Sequence, residues 1–152
     1  MDIDEWDVRY PCPSAVPRTY DYVVANHLLS QLDHHDVKKA LVNIRSVIKP
    51  GGTLRVMDIA VEPGLTALLD EDEDWFPQDD RTGGLDAKFC TWLTWFGTRK
   101  SVFTAFYMRE LLEEAGFSEV RAVRFRQTWT PAPDVVDLDD REHESLFFEA
   151  VA

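Results

Sequence analysis

Of the side chains able to move a proton in this 152-residue sequence, three are candidates for catalysis: His27, Asp58 and Tyr107. His27 follows a short apolar run, Tyr22-Val23-Val24-Ala25, and the loop after such a strand is where open α/β sheets place their ligands. Asp58 closes a second apolar run, so its carboxylate falls at the same sheet edge as Asn26. At that position Asp58 is a conceivable catalytic carboxylate. Each also has a plainer reading. A capping or packing histidine is the commoner kind, Asp58 serves equally well as a polar group facing water, and Tyr107 is uncommitted. His34 and His35 stand beside Asp33 and Asp36, where a helix N-terminus accounts for them more simply than a metal does. No Ser-His-Asp order, phosphate-binding loop or zinc spacing is present, and no metal site is expected.

The elements that would position these groups are legible between Tyr20 and Val61. Tyr22 to Ala25 are rich in β-branched residues and suit a strand covered on both faces. Asp33 is placed to cap the next helix, and Asp36 adds negative charge to its first turn. Val37, Leu41, Ile44 and Ile48 recur at helical spacing, leaving Lys38, Lys39, Asn43 and Arg45 for water. Pro50 disfavours helix at Lys49, and Gly51-Gly52 supplies a tight exit. Leu54, Val56, Ile59 and Val61 make the second strand. A strand–helix–strand unit of this length is a right-handed crossover between parallel strands.

Elsewhere the pattern is looser. Residues 1–19 read as an arm with three prolines, in which only Trp6 to Tyr10 suit a short strand. Residues 62–101 read as an insertion: an acidic loop around Asp70-Glu71-Asp72-Glu73-Asp74, then a helix carrying Phe89, Trp92, Leu93 and Phe96 that ends at Gly97. The acidic block lacks the spaced ligands and turn glycine of a calcium loop. Trp92 and Trp95 suit a substrate pocket, core packing or a subunit interface, packing being the commonest use of aromatics at helical spacing. Thr104 caps a helix with Met108, Leu111, Leu112 and Ala115 on its buried side, and Gly116 suits the left-handed residue after it. Val120, Val123 and Phe125 belong to a third strand, and Leu146, Phe148 and Ala150 to a fourth.

A net charge of −12 repels a phosphate backbone at long range, so nucleic acid is not expected as a partner. The arginines at 121, 124 and 126 read as solvated charges. No apolar run is long enough to span a bilayer, so no membrane association is expected. The acidic start MDIDEWD lacks the pattern of a signal peptide, which makes the cytoplasm the expected location.

The central stretch resembles the second half of class I S-adenosylmethionine-dependent methyltransferases, of the type 11-like branch. Asp21-Tyr22-Val23-Val24 is similar to that family's fourth strand, and Ile48-Lys49-Pro50-Gly51-Gly52-Thr53-Leu54 to the turn before its fifth. Ala25-Asn26-His27-Leu28-Leu29 is similar to a loop lining the cofactor cleft. Phe103-Thr104 with Leu111 to Phe117 matches a further segment, and Arg141 to Ala150 resembles the final strand. The resemblance implies a three-layer α/β fold with a partial Rossmann-like mixed sheet, its last strand antiparallel between the second and third strands read above. It also implies Asn26, His27 and Leu28 as cofactor contacts, and His27 as a candidate general base.

The family grips its cofactor with a glycine-rich turn after the first strand and an acidic residue after the second. No glycine here precedes residue 51, and the sequence begins just before the family's fourth strand. A hydrogen bond to a charged group contributes about 1.5–3 kcal/mol. Loss of a bidentate ribose carboxylate alone thus weakens binding roughly a hundredfold or more. The expectation is a methyltransferase-like single domain, non-catalytic on its own, with no cofactor bound by the isolated chain and S-adenosylmethionine only if a partner completes the site. The first strand, residues 20–26, then lacks a neighbour, and its open edge is the expected contact for a homodimer or another protein.

Overall fold

Tyr20–Asn26 forms β1, and a 14-residue helix, α1 (His34–Val47), carries the chain back to β2 (Ile48–Ile59), which lies parallel to β1. The computed structural model describes residues 6–13, 20–79 and 81–152. After β2 come α2 (Val61–Leu69), α3 (Leu85–Thr94), α4 (Ala105–Glu114), β3 (Ser118–Ala122) and β4 (Ser145–Val151). The sheet order is β1-β2-β4-β3, with β4 antiparallel to both of its neighbours. This is the mixed, Rossmann-like methyltransferase sheet that the motifs imply. Among the described residues, no helix is long and apolar enough to cross a membrane.

The helical period of α1 is realised directly: Val37, Ala40, Leu41, Ile44 and Val47 are all at most 2% exposed. Burying each of the larger ones contributes roughly 1.5–3 kcal/mol. They pack with Leu54 and Val56 of β2, Phe148 and Ala150 of β4, and Met108, Leu111 and Leu112 of α4. Thr104 caps α4 by accepting from the Tyr107 amide, 3.1 Å away, and Gly116 follows at φ +91°. The opposite face of the sheet is unusual. Arg55, in register with Glu149, donates to it at 2.5 Å and to both oxygens of Asp139 at 2.6 and 2.8 Å. All three side chains are buried. The segment from Val123 to Glu144, with a 3-10 turn at Pro133–Val136, covers this face.

The Pro50-Gly51-Gly52 turn lies inside β2 as a bulge: Tyr20 pairs with Ile48, but Tyr22 pairs with Thr53. Gly51 sits at φ +80°, and a side chain at Gly52 would place its Cβ 2.8 Å from the Asp21 carbonyl oxygen. The glycines therefore let the entry of β2 press against the backbone of β1.

Several local expectations are corrected. Trp6 to Tyr10 form a turn, closed by the Trp6 indole donating to the Tyr10 carbonyl, and not a strand. Asp33 occupies the N-cap of α1, but its side chain makes no capping hydrogen bond; the carboxylate faces Lys100 at 3.7 Å instead. Val61 begins α2 and does not continue β2. Val123 and Phe125 lie beyond the end of β3. The remainder of the arm, residues 1–5 and 14–19, lies outside the described residues.

Candidate functional site

Because β1 and β2 run parallel, their C-terminal ends meet: Asn26 pairs with Met57, one residue before Asp58. His27 extends the pairing through its amide, which donates to the Met57 carbonyl at 2.8 Å, and then turns out of the strand at φ 45°. That turn swings the imidazole between two carboxylates. Its Nε2 is 3.0 Å from Asp140 and its Nδ1 is 4.0 Å from Asp58. Nδ1 is buried and has no hydrogen-bond partner. Asp58 is wholly buried, so the solvent-facing reading is replaced: its oxygens accept from the Ser30 amide at 3.0 Å and the Ile59 amide at 2.8 Å.

The structure therefore brings Asn26, His27 and Asp58 together. Tyr107 is engaged elsewhere, stacked on His34 with its hydroxyl 3.3 Å from the ring nitrogens. Burial, reinforced by Glu114 and Glu110, raises the Tyr107 phenol above its usual range. Among the described residues, no group of His, Cys, Asp or Glu is placed to hold a metal ion.

A methyl-donor nucleoside needs a close backbone approach and an acceptor for its ribose hydroxyls. The Asn26 amide already donates to the Leu138 carbonyl at 2.9 Å, and His27 is bonded to Asp140. Leu28 packs against the core. The loop after β1 has no glycine. At these strand ends the Asn26 amide and His27 Nε2 are thus taken up within the chain.

A second feature adjoins this edge. Trp75, Trp92, Trp95, Arg141, His143 and Glu144 are among the residues that surround a recess of about 340 Å³. The buried Trp92 indole donates to Glu144 at 2.6 Å. Arg99 donates to the Trp92 carbonyl at 2.7 Å and lies 3.8 Å from Glu144, with its Nη2 buried and unbonded. Burial lowers the Arg99 guanidinium from its ordinary value, against the opposing pull of Glu144. Sequence reasoning missed Ser30, Arg99, Leu138, Asp140, Arg141, His143 and Glu144. The clustered charges of residues 139–144 are the available signal in the sequence.

Residues 2–122 match the family described as a methyltransferase domain, and the chain belongs to that family. A 3-hydroxy-5-methyl-1-naphthoate 3-O-methyltransferase from Streptomyces sahachiroi is 26% identical over 110 residues, 72% of this chain and 27% of that protein. The fold is similar to that of an O-methyltransferase family 2 protein from Planctomyces limnophilus, solved with apigenin, at TM-score 0.56 and 14% identity; the match covers 97% of this chain and 34% of that one. Human N-acetylserotonin methyltransferase, solved with S-adenosylmethionine, matches at TM-score 0.52 and 19% identity, over 99% of this chain and 33% of that one. The chain thus spans between a quarter and about a third of the length of these relatives.

Proposed function

We propose that this is a methyltransferase-like protein that does not hold the methyl donor on its own and acts through association at the outer edge of β1, a second copy being the first partner to test. The observation that carries this reading is the position of β1. It ends the sheet, and its outer side is unpaired among the described residues. An apolar strand with an open edge recruits further strands. At its C-terminal end the Asn26 amide and His27 Nε2 are meanwhile engaged by Leu138 and Asp140 of the same chain. Titration calorimetry with S-adenosylmethionine, combined with light scattering at tens of micromolar protein, tests both halves. Millimolar affinity or no heat, together with a dimer mass, is expected. Low-micromolar affinity or a strictly monomeric mass overturns the reading.

One observation favours a second reading, a methyltransferase whose site is completed by another chain. His27 Nδ1 is buried, unbonded and 4.0 Å from Asp58, so the strand end keeps an unused proton site. Methyl-transfer assays with and without a donor-binding partner separate the two: activity appearing only in the mixture supports the second reading.

A further inference from the structure

The chain leaves β3 at Ala122 and turns at Arg124, whose carbonyl accepts from the Gln127 amide at 3.1 Å. The turn borders a recess of about 310 Å³ lined by Ala122, Val123, Arg124, Gln127, Thr128 and Trp129. Arg124 is the one charged side chain in that lining. It is exposed and, among the described residues, makes no ion pair. The three carboxylates that bond residues 121–129 are already committed. Glu119 holds Arg121 at 2.7 Å. Asp139 bonds Arg55 through both oxygens, while Glu149 bonds Arg55 through one oxygen and the Trp129 amide, at 3.2 Å, through the other. The guanidiniums of Arg55, Arg121, Arg124 and Arg126 thus outnumber these acids by one, and the unanswered charge at the recess is that of Arg124.

A second, independent observation is an unused donor. The Trp129 indole lines the recess, and its Nε1–H is buried without an acceptor. An indole nitrogen can only donate, and a buried donor is normally paired. The Arg121 guanidinium over the ring, 4.4 Å away, has no acceptor to offer. Both open groups call for the same complement, an acceptor carrying negative charge. A cation would meet Arg124 unopposed, and a hydrocarbon would satisfy neither group.

We propose that this recess binds a small oxyanion, a carboxylate or a phosphate, held by the Arg124 fork and accepting from the Trp129 indole. The net charge of −12 repels anions at long range, so affinity rests on these short contacts and is modest. The site does not depend on where, or whether, a methyl donor binds.

Indole proton–nitrogen spectra of the full chain test this, with Trp129→Phe assigning the resonance. Sodium phosphate, sodium acetate and, as the cation control, ethylammonium chloride are titrated at constant pH and ionic strength. Saturable movement of the Trp129 resonance with a Kd on the order of 0.1–1 mM for at least one anion, and none with ethylammonium, is expected. The tighter arm shows whether the site takes phosphoryl groups or carboxylates. Arg124→Gln should weaken binding at least tenfold, whereas Arg124→Lys retains part of it. Circular dichroism confirms that both variants fold, as the exposed position of Arg124 requires. Half-saturation above about 10 mM with both anions, equal saturation by ethylammonium, or indifference to Arg124→Gln overturns the proposal, whatever the outcome with S-adenosylmethionine.

Discussion

Gly64 of α2 lies so close to the ring of Trp92 in α3 that a Cβ at residue 64 would stand 2.1 Å from the indole Cζ3. The contact joins the two helices over a small core of their own, formed by Ile59, Ala67, Phe76 and Trp92. In an ordinary exposed helix, Gly→Ala stabilises by about 1 kcal/mol. Here Trp92 is held from the far side by Glu144 and cannot retreat cheaply. Gly64→Ala is therefore expected to destabilise by about 1–3 kcal/mol, the cost of an overpacked site. Thermal unfolding reads the sign, and a raised Tm would show that the indole has room to move.

Arg55 stands on a sheet face where an apolar side chain would be expected. Burial alone would lower its guanidinium, but bonds to Asp139 and Glu149 outweigh that and hold it above the ordinary arginine value. Arg55→Met leaves two buried carboxylates facing each other, and a loss of about 3–5 kcal/mol is expected. Arg55→Lys should rescue only part of this, since an ammonium cannot bond both acids in the geometry of the fork. Urea denaturation of the two variants checks the order; equal stability of the methionine variant and the parent would refute it.

The two acids at the strand ends should behave differently. Asp58 is fully buried and accepts from two backbone amides, while the Asp140 side chain is about half exposed. Asp58→Asn turns one acceptor into a donor facing an amide, and a loss of about 1–3 kcal/mol follows. Asp140→Asn should lose no more than about 1 kcal/mol. If both substitutions cost the same in equilibrium unfolding, Asp58 is not the fixed acceptor described above.

For association, Tyr22 is the useful probe because it lies in the middle of the β1 edge. Tyr22→Lys puts a charge on the unpaired strand, the device by which natural edges resist pairing. Self-association should weaken at least tenfold in sedimentation, with monomer stability changed by no more than about 1 kcal/mol. Unchanged association would place the contact on another surface.

The parts of the fold legible in the sequence are those governed by local period and local turns. Val37, Leu41 and Ile44 declare a helix face, and Pro50-Gly51-Gly52 declares a boundary, although the boundary is a bulge within β2 and not the gap before it. The helix α2 was illegible because Pro63-Gly64 reads as a break. Pro63 is tolerated because it falls in the first turn, where backbone amides lack helical partners, and Gly64 is there for Trp92. The candidate site was half legible. Asn26, His27 and Asp58 follow from the strand ends, whereas Asp140 pairs with His27 across 113 positions of sequence. Arg99 and Glu144 were hidden for the same reason: the partner that makes a buried charge tolerable is remote in the chain, and no periodicity announces it.

The order of the strands also has a consequence for how the protein is made. Among the described residues β3 pairs only with β4, and β4 follows the other three described strands in the sequence. A nascent chain halted before Ser145 would carry β3 with nothing to dock on and β2 bare along one flank. The β1–β2 pair can form first, but docking of β3 must wait for β4, and an intermediate lacking those seven residues should expose the flank of β2 to aggregation.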